Sequence, residues 1–194
     1  MVNLNANYWN NKYKKKDQGW DIGYISPPLK EYIDQLQNKN LKILIPGCGN
    51  AYEAEYLYNS GFNNLSVIDF SHIALDNLKK RIPSISSDHL ICDDFFNHIS
   101  KYDLIIEQTF FCAITPNLRS KYAKHMFELL NENGKLVGLL FNDKLNDDKP
   151  PFGGNKDEYL KYFSPYFDIN IMDIAYNSIS PRMDKELFIN LSKK

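Results

Sequence analysis

Arginine is scarce in this 194-residue chain: only Arg81, Arg119 and Arg182, against 20 lysines. With 22 asparagines as well, the bias reads as a background drift towards Lys, Asn, Ile and Tyr. An arginine kept against that drift suits planar, bidentate work that lysine cannot do. Cysteine is also scarce, at Cys48, Cys92 and Cys112. An odd number without zinc-type spacing points to reduced thiols and a cytoplasmic location. His72, His89, His98 and His125 are scattered, so no metal site is expected. Net charge is only −1, which lacks the basic footprint of a nucleic-acid binder. No apolar run approaches a membrane span, and the first residues lack the apolar region of a secretory signal.

Aromatic residues are abundant, with 13 Tyr and 12 Phe in a chain that is 43% hydrophobic. That is enough to fill the core of one α/β domain, and it excludes general disorder. The expected organisation is a single domain over 1–194, with 1–27 as an N-terminal lid segment.

Helical and strand patterns alternate along the chain. Expected strands are LKILIP (41–46), LSVID (65–69), HLIC (89–92), YDLIIE (102–107) and KLVGLLF (135–141). Ser71 is placed to cap HIALDNLKKRI, and Thr115-Pro116 to open a long helix that runs to Leu130, with Asn133-Gly134 stopping it. The last two strands, DINIMDI and ELFINL, are joined by a loop instead of a helix. Five βα units followed by a hairpin predict a doubly wound, Rossmann-like, seven-stranded sheet with a C-terminal antiparallel strand. That suits a class I methyltransferase better than an NAD enzyme.

The first strand runs into Gly47-Cys48-Gly49, where glycines permit a tight turn and close ligand approach. Asp69 ends the second strand and can accept both ribose hydroxyls; the alternatives are a turn-only role for Gly47 and Gly49 and a helix-capping role for Asp69. Asn50 and Glu53 suit a capping pair at the next helix. A dinucleotide fingerprint wants a third glycine where Tyr52 stands, and a P-loop wants Gly-Lys-Ser/Thr, which is missing. S-adenosylmethionine (SAM) carries no phosphate and needs neither, so it is the preferred ligand, with S-adenosylhomocysteine (SAH) as product. Asp94 and Phe95, after the third strand, are the candidate adenine pair. Glu107 and Gln108 end the fourth strand, at the ligand edge. Arg119 falls on the inward stripe of its helix, where either Glu107 or an anionic substrate could answer its charge. No catalytic residue is assigned.

LIPGCG, DFSHIAL and KPPFGG together resemble the thiopurine S-methyltransferase superfamily, and TFFCAITPNLRSKY is most similar to its halide and thiol branch. The resemblance implies cofactor contacts from Trp9, Tyr13 and Trp20, with Gly47 and Gly49, Asp69, Asp94 with Phe95, and Glu107-Gln108. It implies an acceptor site near Phe111, Arg119, Phe152 and Arg182. The reaction implied is methyl transfer from SAM to a small thiol, thiopurine or halide. Rival expectations are an O- or N-methyltransferase using Glu107 as base, an NAD-dependent oxidoreductase and a non-catalytic SAM-binding module. A monomer acting on a small-molecule acceptor, with no nucleic-acid or membrane partner, completes the expectation.

Overall fold

The computed structural model describes residues 3–194; residues 1 and 2 of the expected lid segment lie outside the described residues. Helices α1 (Ala6–Lys14) and α2 (Pro27–Asp34) precede the first strand. Then β1 (Ile43–Pro46), α3 (Tyr52–Asn59), β2 (Leu65–Asp69), α4 (His72–Arg81) and β3 (Leu90–Cys92) follow in alternation. Next come β4 (Tyr102–Gln108), α5 (Arg119–Leu129), β5 (Leu130–Phe141) and α6 (Lys156–Phe163). The hairpin β6 (Phe167–Ile174) and β7 (Glu186–Lys193) closes the chain.

The strands form one sheet in the order β3-β2-β1-β4-β5-β7-β6, with β7 antiparallel to both neighbours. Strand order reverses between β1 and β4, so their carboxyl ends diverge and open a crevice. Side-chain alternation splits β4 between two cores. Leu104 and Ile106 face the helices α2, α3 and α4. Ile105 faces α5 and α6 with Tyr122, Met126 and Phe163. That parity puts Glu107 on the α5 side of the sheet.

Local details differ from expectation in two places. The long helix ends at Leu129, within one residue of the expected Leu130, but β5 begins at once at Leu130 instead of Lys135 and runs through Asn133-Gly134. Helix α3 is capped by Ala51 in a left-handed conformation, with no side-chain cap bond. Glu53 instead reaches back to accept the Ser26 amide at 3.1 Å, and burial pushes its carboxyl up.

Ser71 does cap α4, its hydroxyl accepting from the Ala74 amide at 3.3 Å. The same hydroxyl donates to Asn10 Oδ1 at 2.7 Å, which fastens α1 onto α4. Ser71→Ala should therefore cost about 1–2 kcal/mol in chemical denaturation, through the lost cap and the stranded Asn10. A cost within error of zero would show that the cap is not used.

Candidate active site

A cavity of about 830 Å³ opens at the switch point between β1 and β4. Its floor is the loop after β1, where Gly47 and Gly49 have φ of 55° and 54°. A side chain on Gly47 would overlap the ring of Phe110, and one on Gly49 would meet the Tyr13 hydroxyl at 3.1 Å. Both glycines thus meet a conformational and a steric demand together. The Gly49 amide donates to one Asp69 oxygen at 2.9 Å, and the Ser71 amide to the other at 2.7 Å. Two backbone amides aim this carboxylate at the cavity, while burial raises its pKa.

The N-terminal segment forms one wall. Trp20 meets Trp9 and Tyr13 edge-on, with ring centroids at 5.6 and 6.0 Å. Asp21 of the same segment accepts from the Asn50 side chain and from the Tyr52 hydroxyl. Burial pushes the Tyr13 hydroxyl's pKa well up, so it stays protonated. The opposite wall carries Asp94, which accepts the Phe96 amide at 2.9 Å, and Phe95, which stacks edge-on against Phe110 and His125. Gln108 lines the cavity at the end of β4, and its Oε1 is buried without a hydrogen-bond partner. The structure thus brings Trp9, Tyr13, Trp20, Gly47, Gly49 and Asp69 to one cavity, together with Asp94, Phe95, Gln108 and Arg182.

Four expected site residues do not line this cavity: Glu107, Phe111, Arg119 and Phe152. Glu107 is fully buried. Its Oε1 accepts the amides of Phe110 and Phe111 at 2.8 and 2.9 Å, and its Oε2 accepts the Tyr122 hydroxyl. It is a brace for the turn after β4, with no free oxygen for a ligand. Phe111 lies in the core, under the Arg119 guanidinium at 4.8 Å. Arg119 does not pair with Glu107. Its fork bonds Glu158 at 2.8 Å and the carbonyls of Gly153 and Phe152 at 2.8 and 3.4 Å. The reason is geometric: β4 parity hands Glu107 to Tyr122, and the β5–α6 loop folds its backbone onto Arg119. That loop presents Pro150 and Pro151 to the cavity, whereas Phe152 packs behind it.

Phe110 lines the cavity as part of FFCAI, an apolar run whose place after β4 already suits a pocket wall. Asp21, Asn50 and Thr109 also line it, and no sequence pattern marks them as lining residues.

The arrangement defines a class first: an open α/β sheet of methyltransferase topology with a nucleoside-type crevice. The solved magnesium protoporphyrin IX methyltransferase of Synechocystis with bound SAM superposes with a TM-score of 0.74 at 13% identity, covering 100% of this chain and 99% of that one. A TehB-like SAM-dependent methyltransferase from Corynebacterium glutamicum superposes with a TM-score of 0.69 at 17% identity, over 97% and 98% of the two chains. The family model described as thiopurine S-methyltransferase (TPMT) matches residues 4–187, so the chain belongs to that family. Among curated relatives, "Probable thiol methyltransferase 2" of Arabidopsis thaliana is 28% identical, covering 92% of this chain and 81% of that protein. "Thiopurine S-methyltransferase" of Psychrobacter cryohalolentis is 22% identical, over 88% and 89%. The protein is a SAM-dependent methyltransferase.

The residues present fit that cofactor. The glycine loop leaves room for close approach, Asp69 is aimed inward, and the orphaned Gln108 oxygen awaits a donor or a positive charge.

Arg119→Ala would strand two loop carbonyls, so it should lower stability by about 3 kcal/mol. It should also raise the acceptor KM by loosening the loop that carries Pro150 and Pro151. Unchanged melting would reject the brace.

Burial pushes Glu107 up to about 7, against the opposing pull of Tyr122 and the two amides. The native state then holds a proton that the unfolded chain releases from about pH 4.3 upward. Stability should fall as pH rises through this window up to about 7, where the native group also ionises. Glu107→Gln, which keeps an acceptor for the amides, should flatten that slope in pH-dependent denaturation.

Proposed function

We propose that the chain transfers the SAM methyl group to a small soft nucleophile, a thiolate foremost, with thiopurines and halides in the same class. One observation carries this reading: the acceptor half of the cavity offers no free base. Glu107 has both oxygens engaged. The Cys112 thiol bonds the Thr109 carbonyl at 3.2 Å, and burial pushes it up to about 12. No histidine lines the cavity among the described residues. An alcohol or amine acceptor would need its proton removed, whereas a thiolate or halide arrives ready to react. The relatives bearing thiol, thiocyanate and thiopurine methyltransferase names agree with this choice.

In the mechanism, SAM supplies an electrophilic methyl group. Asp69 would hold the ribose, and Asp94 with Phe95 the adenine. Trp9, Tyr13 and Trp20 would enclose the cationic sulfonium end, where ring faces attract positive charge. Gln108 would border the reacting centre. Phe110, Ile114, Leu118 and the Pro150-Pro151 pair shape an apolar wall that excludes water and aligns the acceptor. Arg119 serves the same end at one remove, through the loop it braces. The described part of the N-terminal segment, residues 3–27, would work as a lid within one catalytic unit. We further assign the protein a cytoplasmic, monomeric existence with a small-molecule acceptor as its partner. Among the described residues no helix is long and apolar enough to cross a membrane.

A labelled-SAM screen across hydrosulfide, small thiols, thiopurines, thiocyanate, iodide, selenite and tellurite is the direct test. Turnover confined to phenols or amines would overturn the reading. Because no protein base intervenes, kcat/KM for a thiol should rise tenfold per pH unit up to the thiol's own pKa, ~8.5 for an ordinary thiol. With iodide the same limb should be flat.

Asp69→Ala should weaken SAH binding by about 1.5–3 kcal/mol in calorimetry, the worth of charge-assisted bonds to the ribose. Equal affinity would remove Asp69 from the site.

A further inference from the structure

Arg182 sits in the loop between β6 and β7, at the end of a 3-10 turn over Ser180–Arg182, and is 8% exposed. One arm of its fork donates to Glu186 Oε1 at 3.2 Å, and the other donates to the backbone carbonyl of Trp20 at 2.7 Å. The guanidinium lies over the Phe141 ring at 5.4 Å. Glu186 is itself buried and fixed by the Ser178 hydroxyl at 2.9 Å, so it aims the fork. The same loop is tied to α2, where Tyr176 and Asn177 donate to the Glu31 carboxylate.

The segment that Arg182 grips has other fastenings, and they come from the cofactor side. Asp21 is held by Asn50 and Tyr52, and the Ser26 amide by Glu53. Arg182 adds a fastening from the loop between β6 and β7. Its bond falls on the residue whose indole packs against both Trp9 and Tyr13. Holding the Trp20 carbonyl therefore fixes where the whole aromatic wall stands.

We propose that Arg182, aimed by Glu186, is a positioning residue that latches the aromatic wall over the cofactor half of the cavity. Arg182 thereby links the acceptor-side loop to cofactor binding. A planar fork is required, because two acceptors in different directions must be served by one rigid group. The latch rests on the SAM site and is independent of which acceptor is used.

The test combines SAH calorimetry, hydrogen exchange of amides 17–26 in the SAH complex, and steady-state kinetics. Arg182→Lys keeps the charge and loses the fork. It should weaken SAH about 10-fold, the usual worth of one charge-assisted hydrogen bond. It should also speed exchange across 17–26 in the complex, and leave the acceptor KM within about twofold. Glu186→Gln leaves Arg182 in place but removes its aim, and should shift SAH affinity and exchange the same way by a smaller factor. If Arg182→Lys does not fold, Glu186→Gln decides. Unchanged SAH affinity and exchange in the folded variants would overturn the latch. A rise in acceptor KM alone would overturn it too, and would make Arg182 an acceptor contact. Failure of the wild-type protein to bind SAH would remove the cofactor site and the latch together, whereas a failed acceptor screen with normal SAH binding would leave the latch standing.

Discussion

The contact between Phe110 and Gly47 sets the rest of the site. It joins the turns after β1 and β4, the two strands whose ends diverge at the switch point. The contact needs a residue without a Cβ at position 47, in a left-handed conformation. It also needs Phe110 held in place, and Glu107 does that by capturing the Phe110 and Phe111 amides. Glu107 is in turn wedged against Gly138 of β5, where any side chain would overlap it, and is bonded by Tyr122 of α5. One buried carboxylate thus transmits the packing of β5 and α5 to the floor of the cavity.

Several polar groups buried around the cavity are answered by backbone: Asp69 by Gly49 and Ser71, Glu53 by Ser26, and Arg119, besides Glu158, by Phe152 and Gly153. Unpaired buried charge is costly, so such groups fix loops that carry no regular structure. This is why a loop as long as the one between β5 and α6 can present Pro150 and Pro151 in a defined place.

Most of the fold was legible because it rests on periodicity and strand-end chemistry. The β1 glycine turn, Asp69 at the end of β2 and the terminal hairpin are local patterns, and a doubly wound sheet brings them to one crevice. What was not legible was the particular partner of each buried charge. Arg119 was correctly turned inward by its helical stripe, but its partner lay 39 residues away at Glu158. Glu107 looked like a ligand-edge acid, although β4 alternation already assigns it to the face of Ile105. Glu53 fitted a capping pattern, yet Ala51 took the cap and Glu53 bonded a residue 27 positions earlier. Local propensity says nothing of such pairings.

Charge is distributed unevenly around the cavity, and that unevenness bears on the chemistry. Asp21, Glu53, Asp69, Asp93 and Asp94 line the part of the cavity proposed to hold SAM, where a cationic ligand is favoured over a neutral one. The part proposed for the acceptor is lined by Phe110, Ala113, Ile114, Leu118 and Phe141, and Arg182 beside them is already paired with Glu186. Transfer of a methyl group from a sulfonium to a thiolate cancels two opposite charges. An apolar wall solvates the separated charges poorly and the neutral products well, so it favours that direction. The same wall would give no such help to a neutral alcohol or amine, whose attack only moves the positive charge from the sulfur to the acceptor atom. The acids opposite lose their electrostatic hold once the cofactor becomes neutral, which eases departure of the product. Both halves of the cavity therefore favour the reaction that cancels charge.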